Sequence, residues 1–262
     1  MSKTILITGA TDGIGLLTAK HLAGEGHRVL LHGRNAAKLE TARAAIAGET
    51  AGYIADLSRL SDVAALGREI RDAHGRLDVL INNAGVLKTA QPRSEDGQDV
   101  RFVVNTFAPY LLTQLLLPII PAEGRVVNVS SAAQAPVDLR AMAGEGTLAE
   151  MAAYAQSKLA ITIWTREMAR ALPEGPVIVA VNPGSLLASK MVKEGFGIAG
   201  SDLEIGAGIL VRAALDASFA DASGRYFDND AGRFGEPQAA AFDTEHAAAV
   251  MAGIEKAVAA WR

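Results

Sequence analysis

Thr4-Ile5-Leu6-Ile7-Thr8-Gly9-Ala10-Thr11-Asp12-Gly13-Ile14-Gly15 follows the first three residues and carries a strand, a turn and the start of a helix in one short stretch. An apolar run without polar alternation is what a strand covered on both faces carries. The glycines end that strand in a turn, and a helical pattern over 13–25 starts inside it. Such a turn lets backbone N–H groups approach a phosphate, with the positive end of the helix dipole behind them. Glycines also serve ordinary tight turns. This cluster gains meaning from its place after the first strand, where a parallel sheet opens its ligand crevice.

Working outward, the same alternation recurs. Short β-rich runs lie at 4–8, 27–32, 77–82, 124–130 and 176–181, with a weaker one at 51–55. Helical patterns fill the intervals at 13–25, 35–47, 59–74, about 97–117 and 150–172. Leu60, Val63, Leu66 and Ile70 form an apolar stripe in one of them. Repeated βα units predict an α/β fold: a single Rossmann-like domain over 1–262, doubly wound, its mostly parallel sheet covered by helices on both faces. Two segments break the rhythm, an inserted loop at 132–149 and a stretch at about 184–201. Segments of that kind are commonly covers or lids. A helix near 202–217, a strand near 224–228 and a helix near 243–261 complete the expectation.

Composition narrows the function. The 262 residues are 50% hydrophobic and 21% charged, ample for a large core and unlike a disordered chain. A net charge of −4 leaves no global attraction to nucleic acid. The absence of cysteine removes disulfides, thiolate metal sites and thiol nucleophiles. Five scattered histidines show no ligand spacing, so no metal is expected. The start lacks signal-peptide architecture, and the most apolar stretch, Leu111 to Pro121, is shorter than a membrane span. A cytoplasmic protein with no membrane span is the expectation.

The glycine spacing is G-x-x-x-G-x-G, and further motifs follow in order: Asp56-Leu57, Asn82-Asn83-Ala84-Gly85, Asn105, Arg125 to Ser131, Tyr154-Ala155-Gln156-Ser157-Lys158 and Asn182-Pro183-Gly184. Jointly, over residues 4 to about 184, they resemble the short-chain dehydrogenase/reductase family. The interval from Ser131 to Tyr154 is longer than that family's commonest form and is similar to its retinol dehydrogenase-type members. The resemblance implies an oxidoreductase that interconverts a carbonyl and an alcohol by hydride transfer. It implies a cofactor held by Gly9, Thr11, Asp12, Gly13, Ile14, Gly15, Arg34, Asp56, Leu57, Asn83, Ala84, Gly85, Tyr154, Lys158, Pro183 and Gly184. Asn105, Ser131, Tyr154 and Lys158 would be catalytic, with Ser130 competing for the serine's part and Asn105 holding a water near Lys158. Pairing as a homodimer or homotetramer is also implied, through the helices beginning near Asn105 and Tyr154, and the apolar run Leu111–Leu117 supports that loosely.

Elementary chemistry agrees with these assignments. Tyr154 and Lys158 are four apart and share one helix face. A phenol titrates too high to be a base at neutral pH, and a neighbouring ammonium would favour the phenolate. A serine hydroxyl suits the carbonyl oxygen on which charge accumulates. After the second strand the chain reads His32-Gly33-Arg34-Asn35, with glycine where an NAD enzyme places its acid and an arginine suited to a 2′-phosphate. NADP(H) is therefore favoured and NAD(H) remains open, since Asp12 occupies a turn position that is often basic in NADP enzymes. Pro136, Val137, Leu139, Met142 and Leu148 would either line a pocket or form a surface elaboration or subunit contact. Leu186, Leu187, Met191, Val192 and Phe196, with nearby glycines, suit a closing lid, and Ser189 is the nearest hydroxyl for a nicotinamide contact. Tyr226 to Asp230 reads as a capped strand and turn rather than a cation site. The competing class is a non-catalytic NADP-binding sensor or scaffold on the same fold.

Overall fold

Strand β1 (Thr4–Ile7) shows how the sheet is built: Ile5 and Ile7 face one layer of helices, Leu6 the other, and all three are fully buried. The same division recurs in β2 (Arg28–Gly33), β4 (Val79–Asn82), β5 (Arg125–Val129) and β6 (Val177–Asn182), and the sheet is completed by β3 (Thr50–Ile54), β7 (Tyr226–Asp228) and β8 (Arg233–Gly235). The computed structural model describes residues 1–262 apart from Ser189 and Ile198, and only the backbone of Lys190, Glu194 and Phe196. The eight strands form one sheet in the order β3-β2-β1-β4-β5-β6-β7-β8. All neighbours are parallel except β7 and β8. The strand order reverses between β1 and β4, so the crevice opens where their C-terminal loops diverge.

Helices cover both faces. In chain order they are α1 (Gly13–Gly24), α2 (Ala36–Ala44), α3 (Leu60–Ala73), α4 (Val100–Phe102), α5 (Ala108–Leu116), α6 (Leu139–Met142), α7 (Glu150–Ala171), α8 (Lys190–Phe196), α9 (Leu203–Leu215) and α10 (Thr244–Val258). One core packs α1 and α9 on Ile5, Ile7, Val127 and Val179. The other packs α3, α5, α7 and α10 on Leu6, Leu80, Val126 and Ile178. The stripe Leu60, Val63, Leu66 and Ile70 is the buried face of α3, as its spacing predicts. Asn35, Asp138, Asp202 and Asp243 cap α2, α6, α9 and α10 by accepting backbone N–H groups.

Three features depart from expectation. The helix expected over about 97–117 starts at Val100 and contains a π-turn, Val103–Phe107, between α4 and α5. β8 is unforeseen because three residues carry no period; it exists because Phe234 packs 5.1–5.2 Å from Phe219 and Phe227. The third departure concerns Val100–Ile119, which is apolar over a length sufficient to cross a membrane, longer than the stretch marked from sequence. It is a core element instead: α3 packs on α5, and Leu111, Leu112 and Leu116 are buried within this chain. Leu111, Leu112 and Leu116 of the run thus serve the chain's own core, while Leu115 and Leu117 are partly buried at its margin.

Candidate active site

The Gly9–Gly15 turn is held by its neighbours more closely than any side chain would permit. A Cβ on Gly15 would come within 2.4 Å of the Gly9 oxygen and 2.5 Å of Asn83 Nδ2, and one on Gly9 would meet Ala84 Cα at 3.0 Å. Asn83 Nδ2 donates to the Thr8 and Gly9 carbonyls at 2.9 and 3.0 Å, while Thr8 Oγ1 accepts the N–H groups of Asn83 and Ala84 at 3.1 Å each. The loops after β1 and β4 are thereby joined. Asp12 is the N-cap residue of α1, yet its side chain makes no capping bond. Free N–H groups at that helix start, with Gly13 at φ +55° and open space beside its Cα, form a cradle suited to a pyrophosphate.

The turn opens into a cleft of about 1050 Å³ that runs along the C-terminal edge of the sheet. At one end lie Arg34 and Lys38, and Arg34 is exposed with no ion pair among the described residues. Lys38, on the first turn of α2, supplies a second cation. A Cβ on Gly33 would strike Thr11 Cγ2 at 2.4 Å, so the position that carries an acid in NAD enzymes is sealed here by a methyl group. Asp56 turns its carboxylate onto the backbone and hydroxyl of Ser58, at 2.9 and 2.8 Å, and Leu57 is buried beside it. These residues fit a dinucleotide with an additional phosphate near Arg34.

At the other end, α7 brings Tyr154 and Lys158 beside the serines that follow β5. Ser130 faces inward, its Oγ bonded to the Lys158 carbonyl (3.1 Å) and Thr162 Oγ1 (2.8 Å). Ser131 is the serine whose hydroxyl acts on the Tyr154 phenol, favouring its ionised form, and its Oγ accepts the Ala133 N–H at 3.1 Å. Lys158 is only 3% exposed; its Nζ lies 5.7 Å from the centre of the Tyr154 ring and donates to the Val129 carbonyl at 2.6 Å. Burial lowers its pKa to about 8. Burial raises that of Tyr154, with the Ser131 bond acting in opposition. In the chain by itself, then, burial sets the direction at Tyr154, where the simple expectation has a lysine pulling the phenol down.

Asn105 sits on the π-turn, and its side chain is already engaged. Its Nδ2 donates to the Val86 carbonyl (3.0 Å) and Ser157 Oγ (2.9 Å), and its Oδ1 accepts the Val86 N–H (2.8 Å). These bonds clamp the loop after Gly85 onto α7. Arg101 assists from full burial by donating to the Leu87 carbonyl and pairing with Asp99 and Glu150. Neither Arg101, Lys38 nor His32 is prominent in the sequence, although Lys38 follows Arg34 by one helical turn.

The loop after β6 is clasped from an unexpected direction. Asn182 Nδ2 donates to both Asp228 and Asp230, Ser185 donates to Asp230 through its N–H and hydroxyl, and Asn229 Nδ2 reaches the Pro183 carbonyl. Burial pushes the Asp230 carboxyl up, but these donors outweigh it and hold its pKa below the ordinary value. The carboxylates after β7 therefore fasten Pro183-Gly184-Ser185. Tyr226 also donates to the Ser131 carbonyl at 3.1 Å. Beyond lie Leu186, Leu187, Met191 and Val192, all lining the cleft, with the segment's base closed by Ala188 and Ser201. Ser189, expected near a nicotinamide, and the Phe196 side chain lie outside what is described.

The insert takes another course. None of Pro136, Val137, Leu139, Met142 and Leu148 lines the cleft. Val137 and Met142 join the core, and Met142 reaches so close to Gly253 of α10 that a Cβ there would lie 2.3 Å from its Cε. Arg93 ties the insert down through the carbonyls of Gly144 and Gly146. The pocket-lining alternative is thus corrected: the insert is a packed elaboration.

Residues 3–196 match the family described as short chain dehydrogenase. Human retinol dehydrogenase 13 is 34% identical over 251 residues, covering 86% of this chain and 76% of that protein. Seven further curated relatives, mostly retinol dehydrogenases, are spanned over only 58–64% of their length. Among solved structures, an uncharacterized protein from Mycobacterium Paratuberculosis superposes with a TM-score of 0.81 at 30% identity, covering 98% of this chain and 93% of its own. A metagenomic short-chain oxidoreductase, solved in complex with NADP, gives a TM-score of 0.64 at 29% identity over 84% of this chain and 95% of that one.

Proposed function

Since this chain belongs to the short-chain dehydrogenase family, we propose that it is an NADP(H)-dependent oxidoreductase interconverting a carbonyl and an alcohol, with Tyr154 as its general acid and base. The observation that carries the reading is the convergence of Ser131, Tyr154 and Lys158 on the cleft that also contains the glycine turn and Arg34. The bound cofactor would supply or accept the hydride. Every other task falls to the chain. The glycine turn and the start of α1 would hold the pyrophosphate, and Arg34 with Lys38 the extra phosphate. Ser131 Oγ would donate to the carbonyl oxygen of the substrate, where charge builds as the C–H bond forms. Tyr154 would hand that oxygen its phenolic proton, or take the proton back in the oxidative direction. Lys158, fixed by the Val129 carbonyl, would keep positive charge beside the resulting phenolate.

The substrate end is apolar, with Leu87, Val100, Met151, Leu186 and Met191 in its walls, which supports a carbonyl compound with an extended apolar body. The retinol dehydrogenase relatives support the same class. Pairing of two or four chains through the helices that begin near Asn105 and Tyr154 belongs to the same reading, and light scattering would detect it. The decisive experiment is Tyr154→Phe. NADPH binding should persist, while turnover of an apolar aldehyde falls by about 10²–10⁴-fold. Turnover preserved in that variant would overturn the mechanism.

A further inference from the structure

His32 has no part in the chemistry above, yet its ring bridges the two loops that would enclose a nucleotide. It is 3% exposed, on β2, with its ring among the cleft-lining groups. Nδ1 lies 3.2 Å from the Gly9 backbone nitrogen, and Nε2 lies 3.0 Å from the Ala55 carbonyl oxygen. A backbone N–H can only donate and a carbonyl can only accept, so Nδ1 must be the bare nitrogen and Nε2 must carry the hydrogen. The two partners select one tautomer. Burial acts in the same sense by lowering the pKa of the ring, against the Ala55 bond and the charge of Asp56.

The arrangement has a reason in the turn itself. Gly9 adopts φ +66°, so the chain leaves the strand at this residue, and its partly buried amide takes its acceptor from a side chain. The next amide, Ala10, bonds to the His32 carbonyl at 2.9 Å. One residue therefore holds two successive amides of the turn, by its side chain and by its backbone. Its other end grips Ala55, immediately before Asp56-Leu57.

We propose that His32 is a positioning residue for the cofactor: its Nε2-protonated imidazole latches Gly9 to Ala55, so that the glycine turn and the Asp56-Leu57 loop meet a dinucleotide as one preformed surface. This rests on the NADP(H) reading above. An apolar ring-sized replacement would fill the space and leave the Gly9 amide without its acceptor. Asparagine reaches about as far as Nδ1 and restores that acceptor alone.

The test compares His32→Leu and His32→Asn with the parent protein by NADPH fluorescence titration and by saturating kinetics. His32→Leu should bind NADPH about tenfold more weakly, with kcat at saturating cofactor changed by less than about twofold, and His32→Asn should recover part of the loss. NADPH binding by His32→Leu as tight as the parent's, a fall in kcat as large as that in affinity, or equal weakness in both variants would overturn the latch. ¹⁵N NMR of the intact parent gives a second reading that needs no variant to fold. The Nε2–H tautomer with a slowly exchanging Gly9 amide supports the latch, and the Nδ1–H tautomer sinks it. A parent protein that fails to bind NADPH would refute the cofactor reading instead, and the tautomer would still decide the latch.

Discussion

The Gly9–Gly15 turn and the segment from Gly184 to Gly200 leave the same edge of the sheet, and both contain glycines at positive φ. Each contains one glycine selected by conformation and one by proximity. In the turn, Gly13 has φ +55° with nothing among the described residues within 4 Å of a Cβ, while a Cβ on Gly15 would meet the Gly9 carbonyl oxygen at 2.4 Å. In the later segment, Gly197 has φ +69° and is likewise open among the described residues, while a Cβ on Gly200 would meet Ala188 at 2.6 Å, so the two regions differ in how they are fastened. The turn is fastened along its length by Thr8, His32 and Asn83. The segment is fastened at its roots, by Ala188 and Ser201 at one point and Ser185 and Asp230 at another. A platform and a cover rooted at its ends have been built from similar composition. The two touch where Gly206 leaves room for both Ile14 and Leu187.

The largest expected effect breaks the platform. Gly15→Ala would force the turn away from Asn83, costing about 1–3 kcal/mol of stability and abolishing measurable NADPH binding. Denaturant melts and fluorescence titration check this, and ordinary NADPH affinity in that variant would show that the turn is not rigid. A second test addresses Lys158, which lies between platform and cover. Its pKa of about 8, against 10.5 for an ordinary lysine, means that the native chain gives up this proton before the unfolded chain does. The unfolded state then binds more protons in that window, so stability should rise from about pH 8 toward pH 10. Lys158→Met should remove the rise in a series of Tm values against pH, and an unaltered slope would assign it to other groups.

The smallest effect sharpens the description of the cover. Asp230→Ala removes the acceptor of Ser185 and one acceptor of Asn182, a loss of about 1 kcal/mol. KM for the carbonyl substrate should rise a few-fold and proteolysis within 186–200 should quicken, with NADPH affinity reduced by less than the rise in KM. An equal loss of NADPH affinity would erase the distinction between the two regions.

Local patterns were enough to foresee the β1–turn–α1 unit, the alternation that places six parallel strands, and the Tyr154-to-Lys158 spacing. Each depends on residues close along the chain, where period and turn chemistry act directly. Gly33-Arg34 was legible for the same reason. What the sequence could not convey depends on partners far apart in number. Ser131 is distinguished from Ser130 because α7 turns Ser130 onto its own backbone and leaves Ser131 beside the phenol. Asp230 reaches Ser185 only because β7 pairs with β6, and the insert is a packed element only because α10 returns to meet Met142. Burial, which raises Tyr154 and lowers Lys158, belongs to no short stretch at all. The order of elements and the chemical types at the site are properties of the chain read residue by residue. Tertiary packing decided which of those groups are desolvated, which are already engaged, and which face the cleft, since these depend on contacts made across the whole chain.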